Sequence, residues 1–389
     1  MKLTLNKSLL LAIPMAMLIS SCKKDKKEEI TPEEPTPTTP SYNVPTTYSF
    51  TSQDFSSSTK RIAMLGEITT YIRITHTATT ATQPTLDKQK LKDMYANANS
   101  QFTADPTLNT SGLQLKDKTG TALGLPALMD SQFDDAEDAS ITAAANPTVS
   151  TALSGTRGKL VLGTKAYLVD ANGFEYKELA EKGIMGGVFY YQATTILTNI
   201  ETYDNTTLVG GTTAMEKAWD EAFGYFGVPT AFPTSTVGLK NWGSYCNAVS
   251  NALDAPNLNS PSSINVTIMN AWLKGRAAIS NKDNAGRDAA KTIILQTWEK
   301  VAAARYISYV KQAINSYNSG DAVSPHHTLS EGIGFINAFK YNPSKTITDA
   351  QILELTGYIG TNLYNASTTN LNTSITRMAQ IFNLDASKL

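Results

Sequence analysis

The residues best suited to chemistry in this 389-residue chain are two glutamates, Glu221 and Glu331, and one histidine, His327. His327 and Glu331 are four residues apart, so their side chains share one face if this segment is helical. Carboxylates and imidazoles on facing helices commonly form the metal sites of helical bundles. One hypothesis is therefore that Glu221, Glu331 and His327 converge on iron or another divalent cation at the centre of a bundle, with Glu331 and His327 as the metal ligands.

The two glutamates occur in similar local sequences. Residues 221–226 and 331–336 share the order Glu, any residue, apolar, Gly, aromatic, apolar. A glycine inside a helix costs about 1 kcal/mol relative to alanine. Close approach of another element is a common reason for keeping such a glycine. We therefore expect Gly224 and Gly334 to pack against neighbouring helices, with each glutamate turned toward the packed side.

The alternative is that both glutamates are structural ion-pair partners. A buried carboxylate needs a cationic, hydrogen-bonding or metal partner. The cationic side chains that could pair with them are those of Lys182, Arg276, Arg287 and Arg305. Asp220 and His326 are neighbours of the candidate residues; we expect His326 to be structural or capping. His76 is expected to be isolated, because Thr75 and Thr77 offer no companion ligand.

Familiar catalytic patterns are mostly absent from the sequence. With three histidines in total there is no His-rich zinc site and no His-Glu-x-x-His motif. A P-loop and a nucleophile elbow are also missing. The acidic residues of 134–138 are predicted to form a solvated helix face, with weak calcium binding as the alternative. Residues 170–173, Asp-Ala-Asn-Gly, are typical of a turn.

The N-terminus indicates where the protein works. Lys2 and Lys7 precede a short apolar stretch, so residues 1–21 are predicted to be a signal peptide. The small residues before Cys22 resemble a bacterial lipobox, which implies cleavage and acylation at Cys22. Residues 22–51, rich in charge, Pro and Thr, are predicted to be a disordered tether. The charged run after Cys22 resembles the signal that exports Bacteroidota lipoproteins to the outer face of the outer membrane.

The remaining residues, 52–389, are predicted to form an all-α bundle with two lobes at about 52–205 and 206–389. Helical periodicity is clearest from Arg287 to Tyr317. A short extended or hairpin segment is expected near 159–173. Cys246 is expected to be a buried thiol. The formal net charge of −1 argues against a nucleic-acid partner, which would require a basic face.

Four motifs carry a family resemblance, at residues 172–176, 182–186, 219–227 and 326–335. Together they resemble a Bacteroidota lipoprotein family catalogued as a domain of unknown function, which is distantly similar to imelysin-like proteins. That resemblance implies an all-helical, two-lobed bundle and a role in iron uptake across the outer membrane. The imelysin hallmark is Gly-x-His-x-x-Glu. With Glu331 as its glutamate, this chain has Thr328 at the histidine position and His327 beside it.

The function expected from these features is that of a lipid-anchored outer-membrane protein, exposed on the cell surface in one version of the hypothesis. It would bind a ligand or partner in iron or haem acquisition, with a TonB-dependent receptor as the expected partner. A first alternative is a glycan-binding lipoprotein of a TonB-dependent uptake system. The aromatic residues that could contact a sugar are Tyr42, Tyr48, Trp242 and Tyr245. A second alternative is a metallopeptidase-like enzyme, which rests on the family analogy alone.

Overall fold

Helices dominate the structure, a computed structural model that describes residues 41–78 and 82–389. The predictions for Cys22, for the signal peptide at 1–21 and for the tether up to residue 40 lie outside the described residues. The helices are α1 (Ser56–Ile72), α2 (Lys88–Ala96), α3 (Leu125–Ala144), α4 (Tyr176–Ile184), α5 (Tyr191–Thr198), α6 (Ala214–Phe226), α7 (Asn241–Asp254), α8 (Ile264–Ser280), α9 (Asn284–Asn318), α10 (Ser324–Phe339), α11 (Asp349–Ile359) and α12 (Thr368–Phe382). The all-α prediction is confirmed.

One antiparallel hairpin interrupts the helical pattern. Its strands are β1 (Gly158–Leu162) and β2 (Lys165–Val169), paired so that Leu160 faces Tyr167. This hairpin is the extended segment predicted near 159–173. Both strands pack against α3, and β2 also contacts α10.

The 35-residue helix α9 packs against α5, α7, α8, α10 and α12. Its predicted apolar band is buried: Trp298, Val301, Tyr306 and Val310 all contribute to the core. Burial of such an amphipathic face, more than helix propensity, stabilises a helix in a protein.

Apolar residues at helical spacing from Glu178 to Tyr203 predict one long helix, but this helix is interrupted in the structure. A π-helical turn, Met185–Tyr190, separates α4 from α5. Within it, a Cβ on Gly186 would lie 3.2 Å from the Cα of Ala338, so the glycine permits close contact with α10. Periodicity alone did not reveal this turn, because one inserted residue shifts the apolar stripe without ending it.

Residues 42–389 form one compact unit. Within it, α5 packs against α6 and α4 against α10, across the predicted lobe boundary at residue 205. Gly224 and Gly334 lie at close helix contacts, as predicted. A Cβ on Gly224 would lie 2.7 Å from the Cβ of Phe55, and one on Gly334 would overlap the Cβ of Lys182.

The folded unit begins earlier than the predicted boundary at residue 52. Tyr48 is fully buried and stacks on Phe223 of α6 with ring centroids 3.7 Å apart. Its hydroxyl donates to Oδ1 of Asp220 at 2.6 Å. The prediction of a disordered tether over 22–51 is therefore wrong in its last residues, because Tyr48 and Phe50 pack against the body of the protein.

Candidate functional site

A cluster of ionisable side chains lies where the start of α4 meets α10. Glu175, Glu178 and His327 each offer one ligand atom, and these atoms lie within 4.8 Å of one another. Nδ1 of His327 is 2.6 Å from Oε2 of Glu175 and 3.5 Å from Oε1 of Glu178. Both carboxylates are fully buried, whereas the imidazole is 29% exposed. The cluster is therefore enclosed on the carboxylate side and reachable from solvent on the histidine side.

The turn between β2 and α4 positions Glu175. The carboxylate of Asp170 accepts hydrogen bonds from the backbone N–H groups of Asn172 and Phe174, both at 2.8 Å. This confirms the predicted turn. The N–H of Glu175 then donates to Oγ of Ser330 in α10 at 2.8 Å. The backbone of Glu175 is thus fixed to the same helix that carries His327.

Two lysines of α4 neutralise part of the cluster. Nζ of Lys177 lies 2.5 Å from both Glu178 and Glu181, and Nζ of Lys182 lies 2.8 Å from Glu178. Lys182 is also 3.0 Å from Glu331. Burial opposes ionisation of Glu178, but Lys182 and Lys177 outweigh it and hold its pKa well below the usual range.

Carboxylates outnumber these lysines: among the described residues, the four carboxylates of Glu175, Glu178, Glu181 and Glu331 are accompanied by the two lysines Lys177 and Lys182. Protons bound to Glu175 and His327 supply the missing positive charge. Burial raises the pKa of Glu175 to about 7, against the hydrogen bond from His327. Burial by itself would lower the pKa of His327, but the hydrogen bond and charge of Glu175, with Glu178 and Glu331, raise it to about 9. A divalent cation would supply the same positive charge.

His76 also faces this cluster, so the prediction that it is isolated is wrong. It follows the short helical turn Arg73–Thr75 at the end of α1. Its Nε2 lies 3.7 Å from Oε1 of Glu175, beyond hydrogen-bonding distance. Neither atom has a hydrogen-bond partner among the described residues. The contact joins segments far apart in the chain, which local spacing does not reveal.

Glu175 and Glu178 are the cluster residues that sequence reasoning did not single out. Glu175 falls inside the family-like motif at 172–176, but nothing in its spacing connects it with a histidine. Glu331, which was singled out, stands at the side of the cluster. Its Oε2 is 3.9 Å from Nε2 of His327, the ring nitrogen opposite the one that faces Glu175.

Glu221 belongs to a different set of contacts. Its side chain is 27% exposed, lies 3.9 Å from Nζ of Lys118 and accepts a hydrogen bond from Tyr225 at 3.4 Å. Within the described part of the chain, Glu221 makes no hydrogen bond or ion pair with His327 or Glu331. The convergence hypothesis is therefore wrong for Glu221, because α6 packs against α1 while α10 packs against α4.

The residues considered as neighbours or cationic partners of the candidate ligands have mainly structural contacts. They are Asp220, Arg276, His326 and Arg305. Asp220 accepts a hydrogen bond from Nε of Arg276 at 2.9 Å, and this pair ties α6 to α8. His326 has its Nδ1 2.8 Å from the carbonyl oxygen of Gly173, in agreement with its expected structural role. The guanidinium of Arg305 lies over the ring of Tyr309, 4.4 Å from its centroid.

Two of the four aromatic residues considered for glycan binding lie in the core. Tyr48 is 0% exposed and Trp242 is 1% exposed, so neither presents a ring to solvent. Cys246 is buried, as predicted. None of the helices in the described ranges is both long enough and apolar enough to cross a bilayer.

A cavity of about 930 Å³ lies apart from the cluster, between α1 and the segment around residues 227–241. Its described lining includes Ile62, Tyr71 and Met94 but neither a histidine nor a cysteine. Its described lining therefore lacks the imidazole and thiolate ligands that commonly bind transition metals.

Fold and site together define an all-α bundle with one β-hairpin and a buried carboxylate–histidine cluster at its α4–α10 contact. The family model described as Domain of unknown function (DUF4856) matches residues 45–359, and the chain belongs to this family. The matched region includes the whole cluster. No curated protein and no solved structure matches the chain.

Proposed function

We propose that this chain is a lipid-anchored outer-membrane protein that binds a divalent cation at Glu175, Glu178 and His327 and serves iron or haem acquisition. The observation that carries the proposal is the approach of three ligand atoms within 4.8 Å in a buried cluster with more carboxylates than lysines. Imidazole and carboxylate ligands together suit iron, zinc and manganese.

The surroundings of His327 support the same proposal. Histidines that bind metals usually direct their second ring nitrogen at a carboxylate or carbonyl, which orients the ring. Here Glu175 and Glu178 approach Nδ1, and Glu331 stands near Nε2 at 3.9 Å. In this proposal Glu331 orients the ligand His327 and does not itself bind the cation.

The cellular role rests on the N-terminal sequence and on the family resemblance. Acylation at Cys22 would hold the protein at the outer membrane, since two or more acyl chains anchor stably where one is marginal. The resemblance to imelysin-like proteins supports iron as the cargo. A TonB-dependent receptor is the partner that such a role would require.

Calorimetry with matched variants tests the cation site. Full-length protein purified in detergent and stripped with a chelator is titrated with Fe²⁺ under anaerobic conditions, and separately with Zn²⁺ and Mn²⁺. We expect about one equivalent of Fe²⁺ to bind, and Glu175→Gln and His327→Gln to weaken affinity at least about tenfold. Glu221→Gln is the control, because it removes the same charge from a carboxylate outside the cluster.

Two outcomes would count against the proposal. Folded wild-type protein that binds none of the three ions would remove the cation-binding function. An equal loss of affinity in Glu221→Gln and Glu175→Gln would show that the site lies elsewhere.

The anchor is tested by Cys22→Ala in cells grown with a labelled fatty acid. We expect the wild-type protein to carry the label and to sediment with membranes. The variant should lose the label and leave the outer-membrane fraction. A variant that remains in that fraction would contradict lipid anchoring.

A further inference from the structure

Two buried polar atoms face each other beside the cluster without a hydrogen bond. Nε2 of His76 and Oε1 of Glu175 are 3.7 Å apart, and each lacks a hydrogen-bond partner among the described residues. Glu175 is fully buried and the His76 side chain is only 15% exposed. Leaving a buried polar group without a hydrogen bond is unfavourable, so such a pair requires an explanation.

A shared metal ion accounts for this spacing. Two ligand atoms, each about 2.1 Å from one ion, are about 3.0–3.6 Å apart at ligand–metal–ligand angles of 90–120°.

Both oxygens of Glu175 then face a histidine. Oε2 is 2.6 Å from Nδ1 of His327, and Oε1 is directed at Nε2 of His76. The two imidazoles come from opposite ends of the sequence, one after α1 and one in α10. The buried carboxylate between them brings both to one place.

The β-hairpin positions the two histidines. The ring of Tyr167 in β2 stacks on His327 at 4.9 Å and meets His76 edge-on at 5.9 Å. Lys159 in β1 is fully buried, and its Nζ donates to the carbonyl oxygen of Thr77 at 3.0 Å, next to His76. The one non-helical element of the described fold therefore holds the segment after α1 against the cluster.

We propose that His76 is a further metal ligand, and that two imidazoles together with the carboxylates of Glu175 and Glu178 form a centre selective for ferrous-type transition metals over calcium and magnesium. This proposal rests on the cation-binding function above and adds the metal class. Two imidazoles and a carboxylate are a ligand set typical of non-haem Fe²⁺. Calcium and magnesium prefer sets made of oxygen alone.

Pulsed electron paramagnetic resonance of the Cu²⁺-loaded protein counts bound imidazoles. The probe is one equivalent of Cu²⁺ added to full-length protein that carries no histidine tag. We expect two imidazoles in the wild-type protein and one each in His76→Asn and His327→Gln. His326→Asn is the matched control and should keep two, because His326 bonds to Gly173 outside the cluster.

Calorimetry measures the selectivity of the site for Fe²⁺ over Ca²⁺. We expect wild-type protein to bind Fe²⁺ at least about a hundredfold more tightly than Ca²⁺, and His76→Asn to lose at least about tenfold in Fe²⁺ affinity. Wild-type protein that binds Cu²⁺ through a single imidazole would overturn the role of His76 and leave the cation-binding function standing. Wild-type protein that binds no ion would overturn both. The wild-type count does not depend on any variant folding.

Discussion

Glu175 is the residue on which the electrostatics of the cluster depend. It is fully buried, it contacts His327 through one oxygen, and its other oxygen lacks a hydrogen bond. Burial favours its protonated form, and the nearby negative charge of Glu178 adds to this. The pKa of His327 is raised as well: burial opposes its charged form, but Glu175, Glu178 and Glu331 stabilise that form more strongly. The pair therefore holds protons more tightly in the folded protein than either residue would in the unfolded chain.

This behaviour predicts how the stability of cation-stripped protein depends on pH. The folded-state pKa values of Glu175 and His327, about 7 and about 9, lie above their ordinary values. Their stabilising contribution is therefore complete below the unfolded-state pKa values and is lost as the pH rises through the folded-state values. The free energy of unfolding should fall by about 4 kcal/mol between pH 6 and pH 9, measured by urea denaturation in chelator.

His327→Gln is the control for this experiment, because it removes the histidine and leaves the other titrating groups in place. Its stability should change less over the same pH range. Saturating Fe²⁺ or Zn²⁺ should also reduce the pH dependence of the wild-type protein. Equal pH dependence in wild type and variant would contradict the proton-holding pair.

At the scale of helices, close contacts through glycine hold the site together. Gly334 allows α10 to approach Lys182 of α4, which pairs with both Glu178 and Glu331. Gly224 allows a similar approach between α6 and Phe55 at the start of α1. The two similar sequence motifs therefore make two separate helix contacts, and only the α10 contact borders the cluster.

Alanine at either glycine should destabilise the protein by about 1–3 kcal/mol through overpacking, although alanine favours helix by about 1 kcal/mol. Gly357→Ala is the matched control, because a Cβ on this glycine of α11 meets nothing within 4 Å. We expect it to be neutral or to stabilise by up to about 1 kcal/mol. Urea denaturation measures all three variants.

Cation affinity separates the two destabilising variants. Gly334→Ala should also weaken Fe²⁺ binding, since it displaces Lys182 beside Glu178, whereas Gly224→Ala should bind normally. Stabilisation by Gly334→Ala would show that α4 and α10 are not in close contact. Equal cation affinity in both variants would show that the close contact between α4 and α10 at Gly334 does not affect the cation site.

At the scale of the whole molecule, the segment before α1 is part of the folded unit. Tyr48 stacks on Phe223, donates to Asp220 and has its backbone N–H bonded to the carbonyl oxygen of Thr230 at 2.8 Å. Asp220 in turn pairs with Arg276 of α8. The N-terminal segment therefore connects α6, α8 and the loop after α6.

Two truncated chains test this arrangement. A chain that begins at residue 42 should match the full-length protein in thermal stability. A chain that begins at residue 53 lacks Tyr48 and leaves the buried Asp220 with one hydrogen-bond partner fewer. Its free energy of unfolding should therefore be lower by at least about 3 kcal/mol. Thermal and urea denaturation measure the difference. Equal stability of the two chains would mean that residues 42–52 contribute nothing to the fold.

The helices could be predicted because their signals are local. The apolar stripe of α9, the turn after β2, the hairpin, and the glycines of α6 and α10 all appear in short stretches of sequence, and the structure bears them out. Such patterns depend on side-chain periodicity and turn chemistry within a few residues. They indicated the fold class and drew attention to His327 and Glu331.

The composition of the cluster was decided by tertiary structure alone. His76 reaches Glu175 only because the hairpin holds the end of α1 against α4, and Glu221 is absent because its helix packs elsewhere. A local pattern records which face of a helix is apolar, but it carries no information about which distant segment covers that face. The sequence therefore shows which residues could act as ligands, whereas long-range packing decides which of them lie close together.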